Sequence, residues 1–133
     1  MAIMLDADVI IGGERGTLGL AQWMMQHEND GFEVAAITVA ELWHGVERAA
    51  DEHRIRRERY LRSILEELPI IPYTESTALQ HAKIWASLES SGEMIGDYDL
   101  IVAAAAMERG STVATFNKRH FQKVKGLKVI EPR

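Results

Sequence analysis

Short apolar runs alternate along the chain with longer stretches in which apolar residues recur every three or four positions. Short apolar runs bounded by polar or turn residues are typical of strands buried on both faces of a parallel sheet. The longer periodic stretches predict amphipathic helices. The predicted strands are Ile3–Leu5, Val34–Ile37, Ile70–Pro72, Thr112–Thr115 and Leu127–Ile130.

Helices are predicted in the intervals between these strands, and glycine or asparagine follows several of them, as is common at helix ends. Regular alternation of strands and helices predicts the α/β class. We therefore expect one domain over residues 1–133, with a mainly parallel central sheet of about five strands flanked by helices. The predicted helices are a short one at Val9–Gly12, then Thr17–Glu28, Thr38–Ala50, Asp51–Leu68, Glu75–Ser90, Asp97–Arg109 and Asn117–Phe121.

Composition and charge exclude several classes of protein. Hydrophobic residues make up 47% of the chain, which argues against disorder, and the absence of cysteine excludes disulfides, thiolate zinc sites and cysteine nucleophiles. No apolar run could span a membrane and no signal peptide is visible, so we expect a cytoplasmic protein. The net charge of -5 argues against non-specific nucleic-acid binding. It fits a protein that gathers carboxylates around a metal or that binds a basic partner.

Polar side chains follow strands or open helices at four places in the sequence. In a doubly wound sheet the helices that follow strands begin at the same edge, so these side chains are expected to converge. The residues are Asp6 and Asp8 after the first strand, Glu41 after the second, Asp97 and Asp99 at the start of the alanine-rich helix, and Asn117 after the fourth strand.

Each of these residues also has a purely structural explanation. Asp6, Asp8 or Asn117 can cap a helix, and acids in a first turn complement the helix dipole. Glu41 stands three residues after Thr38, which is the spacing of a capping box.

Convergence of the acids would nevertheless have a chemical consequence. Two carboxylate charges about 5 Å apart, at an effective dielectric near 20, repel by roughly 3 kcal/mol. Protonation or a bound cation relieves this repulsion. Because the candidate ligands are all oxygen atoms, the set favours Mg²⁺, or Mn²⁺, over zinc.

Four segments of the chain, in this order, match a known pattern. They are Ile-Met-Leu-Asp-Ala-Asp at 3–8, Ile-Thr-Val-Ala-Glu-Leu at 37–42 with Gly45, Ile-Gly-Asp-Tyr-Asp-Leu-Ile-Val-Ala-Ala at 95–104, and Thr-Phe-Asn-Lys-Arg-His-Phe at 115–121. Over essentially its whole length the chain resembles the PIN domain (PilT N-terminus-like) family, and in particular the VapC-type toxins of toxin–antitoxin pairs.

The resemblance implies a metal-dependent endoribonuclease that hydrolyses RNA phosphodiester bonds. Asp6, Glu41 and Asp99 match the three acids of the family pattern, and Asn117 stands at a fourth position that is often aspartate. The resemblance further implies Mg²⁺ held by Asp6 and Asp99, with Glu41 binding metal or orienting the attacking water. An amide is a weaker cation ligand than a carboxylate, so the number of metal ions, one or two, is left open. Either Asp8 or Asp97 can supply the missing charge.

Partners are also implied by the resemblance. Lys118 and Arg119 are candidates to hold phosphates of an RNA substrate, which in such toxins is tRNA or rRNA, although a solvated basic tail explains them equally well. A VapB-type antitoxin is expected to wrap the chain and to place a basic side chain in the acidic pocket. A homodimer is expected too, and Trp43 is either an antitoxin contact or part of the core.

Two other functions remain open from the sequence. Asp6-Ala7-Asp8-Val9 also fits the nucleophile motif of haloacid dehalogenase-like phosphatases, in which Asp6 would attack phosphate and Asp8 would act as acid and base. The residues before Gly96 do not read as the strand that a later phosphatase motif would need. The other alternative is a catalytically inactive PIN-like binding module.

Overall fold

The computed structural model describes every residue from Met1 to Arg133, in twelve helices and strands. The strands are β1 (Ala2–Leu5), β2 (Gly31–Ala35), β3 (Ile70–Ile71), β4 (Thr112–Ala114) and β5 (Val129–Ile130). The helices are α1 (Ala7–Arg15), α2 (Leu20–Gln26), α3 (Ala36–Arg48), α4 (Asp51–Glu66), α5 (Glu75–Ser91), α6 (Asp97–Arg109) and α7 (Lys118–Phe121).

All strands join one sheet in the order β3-β2-β1-β4-β5, and each of its four pairings is parallel. β1 is central: Ile3 is in register with Phe32 of β2 on one side and with Thr112 of β4 on the other. Because the strands are parallel, the carboxyl ends of β1, β2 and β4 lie at one edge of the sheet. The predicted α/β class, with a parallel sheet of five strands flanked by helices, is confirmed.

A separate apolar core covers each face of the sheet. On one face, Met4 and Val113 pack with α5 and α6, and all four alanines of Ala103–Ala106 are buried there. These small side chains allow α6 to lie close against the sheet. On the other face, Ile3 and Leu5 pack with α1 to α4. The strands are therefore apolar on both faces, which explains why they occur as continuous apolar runs in the sequence.

The predicted capping box at Thr38 is wrong. Helix α3 begins at Ala36, directly after β2, and its N-cap residue Ala35 makes no side-chain capping bond. Thr38 lies inside the first turns and is fully buried, with a hydroxyl that has no hydrogen-bond partner. The helix begins early because β2 ends at Ala35 rather than at Ile37 as predicted.

Other element ends differ from prediction by a few residues. α1 continues past Gly12 and Gly13 to Arg15 and ends at Gly16, which adopts the left-handed conformation at φ 79°. α2 begins at Leu20 rather than at Thr17. By contrast, α6 has the predicted bounds and ends at Gly110.

None of the helices combines the length and the hydropathy that a membrane crossing requires.

Candidate active site

Asp6 lies where β1 leaves the sheet, and its position is determined by backbone and side-chain hydrogen bonds. Its backbone N–H donates to the carbonyl of Ala114 on β4 (3.0 Å). Its carboxylate caps α1 by accepting from the N–H of Ala7 (2.9 Å), and it also accepts from the hydroxyl of Thr115 (2.8 Å). Only 5% of the residue is exposed. Asp6 is therefore both the helix cap and a buried acid at the carboxyl edge of the sheet.

Thr115 connects the residues that follow β1 and β4, and sequence reasoning missed it as a site residue. Its buried hydroxyl donates to Asp6, lies 3.3 Å from Asp8, and accepts from the backbone N–H of Asn117 (2.9 Å). A hydroxyl has one proton to donate, so the shorter contact to Asp6 takes it. A polar residue directly after the buried run Thr112–Ala114 was the signal that could have identified it.

Asp8 is held by the residues that follow β4, as Asp6 is. Both of its carboxylate oxygens lie 3.2 Å from the backbone N–H of Phe116. Asp8 thus belongs to the group around Asp6, in the first turn of α1.

Asp99, Asn117 and His120 form a second group beside the first. The side-chain amide of Asn117 donates to Asp99 (3.3 Å) and lies 2.9 Å from Nδ1 of His120. The same ring nitrogen lies 3.7 Å from the Asp99 carboxylate. Asn117 stands at the N-cap of α7 but makes no capping bond with its side chain. The amide of Asn117 therefore orients Asp99, a role that could not be predicted from the sequence. The sequence analysis also did not identify His120 as a site residue.

Glu41 comes from α3, and it lies close enough to the other acids for the charges of Asp99 and Asp8 to act on its carboxylate. One of its carboxylate oxygens is buried and has no hydrogen-bond partner. Burial raises the pKa of Glu41, and the negative charges of Asp99 and Asp8 raise it further. An unpartnered buried oxygen is unusual in a folded protein and indicates a position available to a ligand.

The acids share a strongly negative environment. Burial, followed by the charge of Asp8, raises the pKa of Asp6 to about 7, although the Thr115 hydrogen bond acts in the opposite direction. Burial also raises the pKa of Asp8. No lysine or arginine forms an ion pair with Asp6, Asp8, Glu41 or Asp99; the only ion-pair partner of this group is His120, beside Asp99.

The donor chemistry fits a hard divalent cation, with solvent completing its coordination. No three histidine or acidic side chains of the chain are already arranged as a metal-binding group. Mg²⁺ in proteins is commonly held by one or two carboxylates and keeps several waters, so a closed cage is not required. Carboxylates with raised pKa values and an unpartnered Glu41 oxygen are the features that such an ion would neutralise and satisfy.

Other predicted site residues lie outside this cluster. Asp97 is exposed and makes no hydrogen bond or ion pair, so between the two alternatives only Asp8 contacts the site. Lys118 and Arg119 open α7 immediately after Asn117. A cavity of about 800 Å³ is lined mainly by apolar residues of α2 and α4 and contains none of these acids.

The sequence of the chain is similar to a family of known proteins. A model of the PIN domain family matches residues 3–127. The chain is 28% identical to ribonuclease VapC1 of Rickettsia felis over 98% of its own length and 96% of the relative's, and 34% identical to ribonuclease VapC2 of Haemophilus influenzae over 71% and 70%.

Solved structures show the same fold. A chain of VapBC2 from Rickettsia felis, bound to a DNA fragment from their promoter, superposes with a TM-score of 0.90 at 22% identity and covers 98% of both chains. A chain of VapBC-5 from Mycobacterium tuberculosis, a member of the VapBC family of toxin-antitoxin systems, superposes with a TM-score of 0.75 at 26% identity, covering 99% of this chain and 98% of that one.

Proposed function

This chain belongs to the PIN domain family, and from that membership we propose that it is a VapC-type toxin: a metal-dependent endoribonuclease that hydrolyses RNA phosphodiester bonds in the cytoplasm. We also propose that residues 1–133 form one PIN domain. The observation that carries the proposal is the group of acids at the carboxyl edge of the sheet: burial and mutual repulsion raise the pKa values of Asp6, Asp8 and Glu41, and no lysine or arginine pairs with them. A site of this kind recruits positive charge from outside the chain.

Mg²⁺, or Mn²⁺, is the cofactor that this donor set favours, with Asp6 and Asp99 as ligands and Glu41 beside them. Such an ion, when bound, lowers the pKa of the attacking water and offsets the charge of the phosphate. Asp8 supplies the negative charge that Asn117 lacks at the fourth position, because Asp8 contacts Thr115 whereas Asp97 is exposed.

The side chains divide the catalytic work. Thr115 and the N–H of Ala7 hold the Asp6 carboxylate in one orientation, and Asn117 does the same for Asp99. The unpartnered oxygen of Glu41 is placed to accept a proton from the attacking water and to orient it.

Two cations next to the acidic pocket are candidates to hold the RNA phosphates that flank the cleaved one. Lys118 and Arg119 follow Asn117 directly, so phosphates of RNA that reach the acids pass close to these cations. The RNA itself is a tRNA or an rRNA, as the family resemblance implies.

The proposed regulator is a VapB-type antitoxin that places a basic side chain among the acids. Its support is the likeness to VapBC-5, which belongs to a family of toxin-antitoxin systems, together with the net charge of -5. We also propose that the toxin is a homodimer.

Two alternatives make different predictions. A phosphatase with Asp6 as nucleophile needs its later acidic motif to follow a strand, but the residues before Gly96 form a loop. An inactive binding module would leave RNA intact at any Mg²⁺ concentration. A trapped aspartyl-phosphate on Asp6 would favour the first, and intact RNA the second.

The deciding experiment compares two identical substitutions two residues apart. Asp99→Asn removes a charge from the cluster, and we expect RNA cleavage in Mg²⁺ to fall by about 100- to 1000-fold or more with the fold retained. Asp97→Asn removes an exposed charge and should retain cleavage. Circular dichroism checks folding. Cleavage by Asp99→Asn at the parental rate would refute the site.

The RNA target is identified by sequencing. RNA ends produced when the chain is expressed, compared with those from an Asp6→Ala control, should map to one or a few sites with 5′-phosphates in tRNA or rRNA. Ends that are equally abundant in the control would show that the chain does not make them.

A further inference from the structure

A second concave surface opens beside the acids. It is a cavity of about 390 Å³ lined by Ile37, Ala40, Glu41, His44 and Tyr98. We call it the Tyr98 pocket. Glu41 lines this pocket, and the charges of Asp99 and Asp8 act on its carboxylate, so the pocket and the acidic cluster share one side chain.

Two elements build the Tyr98 pocket. Ile37, Ala40, Glu41 and His44 are spaced three, one and three residues apart, which puts them on one face of α3. Tyr98 faces them from the first turn of α6, next to Asp99. The pocket therefore has an apolar floor, two polar groups and one aromatic wall, all adjacent to the candidate ligands.

Tyr98 is set apart from the other tyrosines by its lack of partners. The hydroxyl of Tyr60 donates to the carbonyl of Ile10, and that of Tyr73 pairs with His81 (2.8 Å). Tyr98 is 55% exposed and its hydroxyl makes no hydrogen bond. An exposed aromatic ring beside a concave surface is the usual platform on which proteins stack an unpaired base.

We propose that the Tyr98 pocket binds the base of a nucleotide adjacent to the cleaved phosphate of single-stranded RNA. This rests on the proposed function, because the acids must hold that phosphate. Tyr98 stacks on the base, and His44 supplies a hydrogen bond to its edge. The pocket contains no lysine or arginine, so recognition there comes from the base and not from its phosphate. A base paired within a helix could not enter, which restricts the substrate to loops and other unpaired segments.

The first arm of the test measures kcat/KM on a short single-stranded RNA and on the same RNA with an abasic residue beside the cleaved bond. Loss of one stacked base lowers kcat/KM by roughly 5- to 150-fold for the parent. Tyr98→Ala should show the lower rate on both RNAs, whereas Tyr98→Phe keeps the ring and should behave as the parent does. Trp85→Ala, which removes an aromatic side chain of similar exposure (47% against 55%) outside the pocket, is the matched control.

The second arm measures binding without cleavage. Each of the four nucleoside 5′-monophosphates is titrated into the protein with Ca²⁺, and the NMR signals of the Ile37 methyl groups and the Tyr98 ring are followed. Nucleotides should shift these signals and inorganic phosphate should not. Should RNA remain uncut while nucleotides still bind there, the ribonuclease assignment fails and the pocket stands.

Three results would overturn the proposal. The first is a parent enzyme that cuts the abasic and normal RNAs equally well. The second is an unchanged Ile37 and Tyr98 spectrum with every nucleotide. The third is a sedimentation measurement in which Tyr98→Ala dissociates a dimer, because the pocket would then be an interface between two copies of this chain.

Discussion

Glu33 and Asp6 are both buried carboxylates of the same sheet, but they have opposite surroundings. Glu33 on β2 is 3% exposed and accepts hydrogen bonds from Arg109 and from the hydroxyl of Ser111 (3.0 Å). Those two partners come from the end of α6 and the start of β4. Asp6 lies at the other edge, with Asp8 and Asp99 as its charged neighbours and no cation.

The difference separates structural from functional use of a buried acid. The charge of Glu33 is neutralised within the chain, so Glu33 joins β2, α6 and β4 without needing a ligand. The charge of Asp6 is left without a cation, and the fold bears the cost of that repulsion. Stability alone would favour an arginine beside Asp6 as well. A site that must bind a cation cannot have such an arginine, because the arginine would take the place of the cation.

The largest effect on stability is expected at Glu33. Glu33→Gln leaves Arg109 without its counter-charge and should lower the free energy of unfolding by about 2 to 3 kcal/mol. Cleavage per folded molecule should remain at the parental level, since Glu33 lies away from the acids. Urea unfolding and a cleavage assay measure the two effects. Glu131→Gln, at an exposed position, is the control. A Glu33→Gln protein as stable as the parent would show that the ion pair is not structural.

The next effect is a pH dependence of stability, and it comes from the uncompensated charge of Asp6. Because the folded pKa of Asp6 is raised from 3.8 to about 7, the folded chain holds a proton that the unfolded chain releases. The contribution of Asp6 to the stability of the metal-free protein is therefore complete below about pH 3.8 and is lost as the pH rises through 7, by about 3 kcal/mol between pH 5 and pH 8.

Asp6→Asn removes that titration. In urea unfolding without metal, the free energy of unfolding of this variant should decrease less between pH 5 and pH 8 than that of the parent. At pH 8 the variant should be the more stable protein. Parallel pH curves for the two proteins would mean that Asp6 is not the group that carries the uncompensated charge.

The smallest effect is stabilisation by metal. At ten times its dissociation constant, Mg²⁺ should stabilise the parent at pH 8 by about 1.4 kcal/mol. It should have little effect at pH 5, where Asp6 is protonated, and little on Asp6→Asn at either pH. Thermal unfolding measures this without reference to activity. Equal stabilisation of the parent and Asp6→Asn would place the ion elsewhere.

Much of the architecture could be predicted because the sheet is parallel and buried on both sides. Continuous apolar runs at β1 and β4, and the alanines of α6, leave few other arrangements. The edge at which Asp6 and Asp99 meet followed from the same topology. The family resemblance then supplied the roles, which the spacing of the acids alone did not determine.

What could not be predicted depends on contacts between distant residues. The role of Glu33 is invisible in the sequence, because its partners Arg109 and Ser111 lie more than seventy residues away. The capping box at Thr38 failed for a related reason: local spacing was right, but the end of β2 started the helix earlier. Thr115 acquired its contacts with Asp6 and Asp8 only through the pairing of β4 with β1.

That pairing also has a consequence for the order in which the protein is made. Asp6 leaves the ribosome 109 residues before Thr115, the residue that orients its carboxylate. Since β1 must wait for β4, the candidate site cannot assemble in a nascent chain before β4 has been made. Until Thr115 has emerged, the ribosome that makes this chain is not exposed to an Asp6 carboxylate oriented in this way.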